Sequence, residues 1–272
     1  MHVLGALLGW LTFLASPTYR RRFLANAALA GYRFAEIRAA VAQAGRTVAE
    51  IPRLWFGTTP VCAIDNEDVV AAAYAEGRGV IYLSPHLGCF ELSAQDAARR
   101  WGDVYGSITV LYRPARQAWL ARMMETARDR PAMQAVPTNL MGVRKMIKAL
   151  RRGEAVGLLP DQVPPDGMGV WAPFFGQDAY TMTLAARLAQ QTGAQVLIAY
   201  CERLSKGRGF VTHFERLGEP LAEDAVLAAT QINRAMERAI RKCPQQYLWG
   251  YARYKRPRAQ VPVGASATGA AA

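Results

Sequence analysis

His86 and Glu91 are the side chains best spaced to do chemistry together. They stand in the run Val80-Ile81-Tyr82-Leu83-Ser84-Pro85-His86-Leu87-Gly88-Cys89-Phe90-Glu91. Its first four residues predict a strand, and Glu91 to Arg100 predict a helix. The histidine then lies just past the C-terminal end of a strand, the edge at which α/β sheets bind ligands, and the carboxylate lies in the first turn of the next helix. Across a tight, glycine-containing turn, Glu91 can reach one imidazole nitrogen while the other points outward, as a general base requires. Glu91 would then fix the tautomer and stabilise the imidazolium formed when a hydroxyl loses its proton. A structural role fits the same spacing: a buried histidine beside a carboxylate that complements the helix macrodipole. Spacing alone does not choose between the two. His2, His86 and His213 are the only histidines, and Cys62, Cys89, Cys201 and Cys243 are far apart without zinc-ligand spacing. No metal centre is expected, and the cysteines read as reduced, buried thiols.

The elements that must position this pair follow from periodicity. Apolar residues Leu24, Ala27, Ala30, Phe34, Ile37, Val41 and Ala44 recur at helical spacing and predict a helical pair that covers one side of a sheet. Beyond them, strands are predicted over 80–83, 108–112, 156–159, 195–200 and 210–214. Helices are predicted over 91–100, 119–128, 143–151, 182–191 and 225–241, with Gly153 and Gly193 as terminators. The alternation predicts one α/β domain with a central, largely parallel or mixed sheet flanked by helices. The Pro- and Gly-rich stretch from Pro160 to Thr181 reads as a long functional loop. Residues 259–272, small and without periodicity, read as a disordered tail.

Composition narrows the class. The chain has 272 residues, 51% of them hydrophobic, with 33 Lys plus Arg against 21 Asp plus Glu and a net charge of +12. This excludes a disordered or polytopic membrane protein and suits an anionic partner. Met1 to Pro17 carry no charged side chain and are followed by Arg20, Arg21 and Arg22. A helix there would be roughly 25 Å long at about 1.5 Å per residue, short of a roughly 30 Å hydrocarbon core. Residues 1–22 are therefore expected to form a membrane-associating segment that lies on or tilts into the bilayer, with the arginines on the anionic cytoplasmic face, in preference to an ordinary buried amino-terminal helix. Residues 23–258 are expected to form the α/β domain that carries the His86 site.

Further motifs follow the histidine in order: Leu111-Tyr112-Arg113-Pro114, Asn139-Leu140-Met141-Gly142-Val143-Arg144, Gly157-Leu158-Leu159-Pro160-Asp161-Gln162, Pro173-Phe174-Phe175-Gly176 with Ala179 and Thr181, Gln246-Tyr247-Leu248-Trp249, and Arg253-Tyr254-Lys255-Arg256-Pro257. As an ordered set spanning Arg20 to Pro257, they resemble the late lipid A biosynthesis acyltransferases, the lauroyl/myristoyl transferase family of the lysophospholipid acyltransferase superfamily. The resemblance implies transfer of a fatty acyl group from an acyl carrier protein thioester to a hydroxyl of a lipid A precursor, at the cytoplasmic face of the inner membrane. This is secondary acylation in lipopolysaccharide biosynthesis, with no cofactor beyond the thioester co-substrate. Carried over by position, His86 is the base and Glu91 its orienting partner, and the hydroxyl attacks directly with no acyl-enzyme. Arg144 would stabilise the oxyanion or hold a lipid phosphate; without the family it reads as a solvated helix-face arginine. Asp161 would shape the same cleft or simply form a turn. Arg113 would contact a phosphate or the carrier's prosthetic arm, or serve a turn. Phe174, Phe175 and Gly176 would wall an acyl-chain channel, or pin their loop to the core.

Some positions depart from the related patterns. The phospholipid branch has Asn before the histidine and Asp at the acidic position, where this chain has Pro85 and Glu91, which favours the lipid A branch over a lysophospholipid acyltransferase. Pro244-Gln245-Gln246-Tyr247 replaces the family's Pro-Glu-Gln-Tyr, and Tyr251-Ala252 stand where His-Arg is frequent. Nucleic-acid binding, the other reading of the charge, would need aromatic stacking platforms or a recognised fold signature, and the sequence has neither.

Overall fold

A computed structural model describes residues 1–112, 117, 123–124 and 130–257. Four helices come first: α1 (His2–Ala15), α2 (Pro17–Leu29), α3 (Phe34–Ile37) and α4 (Ala39–Phe56). The α/β body follows as β1 (Ala63–Asp65), α5 (Glu67–Ala75), β2 (Val80–Leu83), α6 (Phe90–Tyr105), β3 (Ile108–Tyr112), β4 (Met133–Pro137), α7 (Leu140–Arg151), β5 (Ala155–Leu158), β6 (Gly169–Phe174), β7 (Gln177–Met182), α8 (Leu184–Thr192), β8 (Gln195–Arg203), β9 (Phe210–Arg216) and α9 (Ala225–Lys242). Seven strands form one sheet in the order β1-β9-β8-β2-β5-β3-β4. Every neighbouring pair is parallel except β8 and β9.

The central strand β2 is buried on both faces, which is why its sequence is continuously apolar rather than alternating. Ile81 and Leu83 pack with α7, α8 and α9 in the larger core, while Val80 and Tyr82 pack with Val70 and Ala73 of α5 and Ala97, Ala98 and Trp101 of α6. The amino-terminal helices join the larger core through an aromatic cluster of Phe13, Phe23 and Phe34. Asn26 of α2 donates to the carbonyls of Trp249 (2.6 Å) and Tyr251 (2.7 Å), tying these helices to the carboxyl-terminal segment.

The expected α/β architecture is present, and several local readings need correction. The predicted helical pair is four helices, and α7 starts at Leu140 because the Asn139 side chain caps it by accepting from the Gly142 N–H at 2.9 Å. The stretch 160–181 is only partly loop: β6 and β7 form an antiparallel hairpin whose two-residue turn, Phe175-Gly176, has positive φ at both positions (47° and 78°), as a type I′ turn requires. Strands β1 and β4 and helix α5 have no counterpart among the elements that the periodicity predicts. Most of the helix expected over 119–128, and the tail 259–272, lie outside the described residues. Among the described residues no helix is long and apolar enough to cross a membrane.

Candidate active site

Two strand ends bring the site together. β2 and β5 are parallel neighbours with Leu83 opposite Leu158, and the Ser84 N–H donates to the Leu158 carbonyl at 3.0 Å, extending the ladder by a step. His86 and Asp161 each stand three residues beyond those paired leucines, so the two chains leave the sheet side by side and their side chains meet. His86 Nδ1 lies 2.7 Å from Asp161 Oδ1, and the His86 backbone N–H donates to Asp161 Oδ2 at 2.9 Å. The orienting contact that the spacing assigns to Glu91 is thus made by Asp161. Glu91 occupies the first turn of α6, where its charge suits the helix N-terminus.

The electrostatics favour a charged Asp161. Burial alone would raise its carboxyl, but His86, through its charge when protonated and its two hydrogen bonds, and the Arg253 charge outweigh it and hold the group below its ordinary value of 3.8. An ionised carboxylate only accepts, so Nδ1 carries the proton and Nε2 offers a lone pair. The Gln162 amide lies 3.0 Å from Nε2, and the Phe90 ring packs 4.7 Å from the imidazole. The His86 side chain keeps 15% of its surface exposed against 2% for Asp161, so solvent reaches the pair from the imidazole side.

Asp161 is backed by a buried polar group. Arg253 donates to the Tyr180 carbonyl (2.6 Å) and to Thr181 Oγ1 (2.7 Å) and lies over the Phe174 ring. Burial lowers its pKa, opposed by the charge of Asp161. Burial and the Asp161 charge push the Tyr247 hydroxyl well up, keeping it neutral. Arg253, Tyr247 and Gln162 belong to the quoted motifs, but nothing in their spacing disclosed what they touch.

The histidine loop is clamped on its other sides. The Leu248 N–H donates to the His86 carbonyl, the Gly88 N–H to the Gln246 carbonyl, the Cys89 N–H to the Cys201 carbonyl, and Thr47 Oγ1 to the Gly88 carbonyl. Gly88 has φ 61°, and a Cβ there would collide with the Cys201 carbonyl oxygen. Only glycine fits that left-handed, crowded position. Gln246 pairs through its amide with both backbone groups of Arg203 at 2.9 Å, and Arg203 forms a buried ion pair with Glu50 of α4, Nε to Oε1 at 2.6 Å. The amino-terminal helices are therefore wired to the loop that carries His86.

A model of the bacterial lipid A biosynthesis acyltransferase family matches residues 31–256. The chain belongs to that family. The lipid A biosynthesis palmitoleoyltransferase of Escherichia coli K12 and a lipid A biosynthesis acyltransferase of Shigella flexneri are each 27% identical to it over 218 residues, 79% of this chain and 65% of theirs. The lipid A biosynthesis lauroyltransferase of Escherichia coli K12 is 28% identical over 190 residues, 69% of this chain and 60% of its own. The matches thus span less than two thirds of these relatives' length.

The remaining residues singled out in this lipid A acyltransferase family member are dispersed. Arg144 is exposed on α7, its guanidinium 3.9 Å from Met141 Sδ. Arg113 lies outside the described residues. Phe174 and Phe175 are buried in the larger core: Tyr254 donates to the Phe174 carbonyl (2.9 Å), and the Phe175 N–H donates to Glu237 of α9 (2.7 Å). Gly176 is the exposed second residue of the hairpin turn. Among the described residues no group of three or more His, Cys, Asp and Glu could hold a metal ion.

Proposed function

We propose that this protein transfers a fatty acyl chain from an acyl carrier protein thioester to a hydroxyl of a lipid A precursor, the secondary acylation of lipopolysaccharide biosynthesis, at the cytoplasmic face of the inner membrane. The observation that carries the mechanism is the 2.7 Å contact of His86 Nδ1 with buried Asp161, which leaves Nε2 as the basic atom of a ring that is itself partly exposed. His86 Nε2 takes the proton of the acceptor hydroxyl, whose oxygen attacks the thioester carbonyl carbon. The tetrahedral oxyanion collapses, the C–S bond breaks, and the departing sulfur receives the proton from the imidazolium. Asp161 positions the ring and balances its transient charge, while Glu91 supplies a second negative charge at the start of α6. Arg144, exposed beside Leu140 and Met141 at the start of α7, is assigned to a phosphate of the acceptor.

The membrane partner is supported by α1. Its Gly5 and Gly9 pack against Gly45 of α4 so tightly that a Cβ on any of them would strike backbone atoms, and Val3, Leu4, Leu7, Leu8, Leu11 and Leu14 are exposed. With Arg20 to Arg22 just beyond, this face suits the interface of an anionic leaflet. Mass spectrometry of total lipid A after deletion of the gene tests the reading: loss of one secondary acyl chain is expected, and unchanged acylation would refute it.

A further inference from the structure

The base described above already has a hydrogen-bond partner at Nε2. With the Nδ1 proton committed to ionised Asp161, a neutral His86 can only accept at Nε2, so the Gln162 contact at 3.0 Å is an amide N–H donated to the lone pair that must take the substrate's proton. Gln162 is built to do this and to let go. Its backbone is fixed on both sides: Asp161 is locked to His86, and the Val163 N–H donates to the Tyr251 hydroxyl at 3.0 Å. Among the described residues its side chain makes no hydrogen bond other than the one to His86, so rotating it away breaks a single contact.

We propose that Gln162 is a removable cap on the catalytic base, displaced by the acceptor hydroxyl and by little else; the proposal rests on the reading of His86 as base. An acceptor lipid brings binding free energy from parts remote from the hydroxyl, and that energy can offset the lost Gln162 contact. Water brings none. With the cap in place, water is poorly activated and a bound thioester survives until the acceptor arrives. With the cap gone, a water proton passes to Nε2, the water oxygen attacks the thioester carbonyl carbon, the C–S bond breaks, and the sulfur regains the proton. The products are a free fatty acid and the carrier thiol. Gln162 thus sets selectivity for lipid hydroxyl over water. Once His86 holds a second proton, the amide can turn and present its oxygen to the Nε2–H, so the same side chain can re-cover the site in either protonation state.

The test uses the full chain and Gln162→Leu, which keeps bulk but cannot donate. Two rates are read without acceptor lipid: hydrolysis of a dodecanoyl acyl carrier protein thioester, and carbethoxylation of His86 by diethyl pyrocarbonate, followed by peptide mass spectrometry. Both are expected to rise roughly fivefold, the order set by loss of one hydrogen bond. A third measurement needs no variant: nitrogen chemical shifts of His86 in the unaltered protein should show Nδ1 protonated and Nε2 accepting. Equal hydrolysis rates, equal carbethoxylation rates, or an Nε2-protonated tautomer would each overturn the proposal, and the tautomer decides it if Gln162→Leu fails to fold. Failure of the base assignment shows separately, as undiminished transfer by His86→Ala, and leaves the carbethoxylation and tautomer results interpretable.

Discussion

Asp161 is the residue on which the proposed chemistry turns, and its environment gives predictions with a sign. Asp161→Asn keeps the shape but removes the charge that fixes the Nδ1-protonated ring, so transfer should fall roughly 10²–10⁴-fold, with a smaller loss in Glu91→Gln; steady-state rates of the two variants check the order. Because folding lowers the Asp161 pKa below 3.8, its contribution to stability is fully present above that value and is lost as pH falls through the folded pKa. The stability gap between the unaltered protein and Asp161→Asn, measured by urea unfolding, should therefore close as pH falls below about 4. His86 was legible from its neighbours, since an apolar run ending at Ser84-Pro85 marks a strand end. Its partner was not. Asp161 lies 75 positions away, and the pairing of β2 with β5, which skips two strands of chain order, is a long-range fact that spacing cannot carry.

At the scale of elements, the periodicity exposed what is buried on a regular face and missed what is set by special backbone. β2, β5 and β8 are apolar runs and read as strands. β4, Met133-Gln134-Ala135-Val136-Pro137, mixes polar and apolar residues and ends in proline. The β6–β7 hairpin turns on Phe175, a bulky residue in the left-handed region, where Asn or Gly would have announced the turn. The Glu50–Arg203 ion pair joins α4 to β8 and, through Gln246, to the histidine loop. Leaving one member of such a buried pair uncompensated costs about 3–5 kcal/mol, so Glu50→Ala should lose that much stability by chemical denaturation. Arg203→Met made in the same chain should restore part of it.

For the whole molecule, the +12 charge divides among surfaces. Arg20 to Arg22 follow the leucine face of α1, and Arg144, Lys145, Lys148, Arg151 and Arg152 are exposed on and just after α7. The leucine face exists because the opposite face of α1 is reserved for glycine contacts with α4, a reason invisible in the sequence until the helices are paired. Replacing Leu4, Leu7 and Leu11 with serine should leave the glycine contacts intact and weaken binding to anionic vesicles tenfold or more, read by sedimentation, since each leucine withdrawn from lipid forfeits about 1.5–3 kcal/mol at full burial.

The most direct measurement of the central claim is transfer by the full chain from an acyl carrier protein thioester to a tetraacylated lipid A precursor, for the unaltered protein and His86→Ala. The account predicts transfer by the first and a loss of roughly 10²–10⁴-fold or more in the second, with both equally folded by circular dichroism. Undiminished transfer by His86→Ala would contradict it.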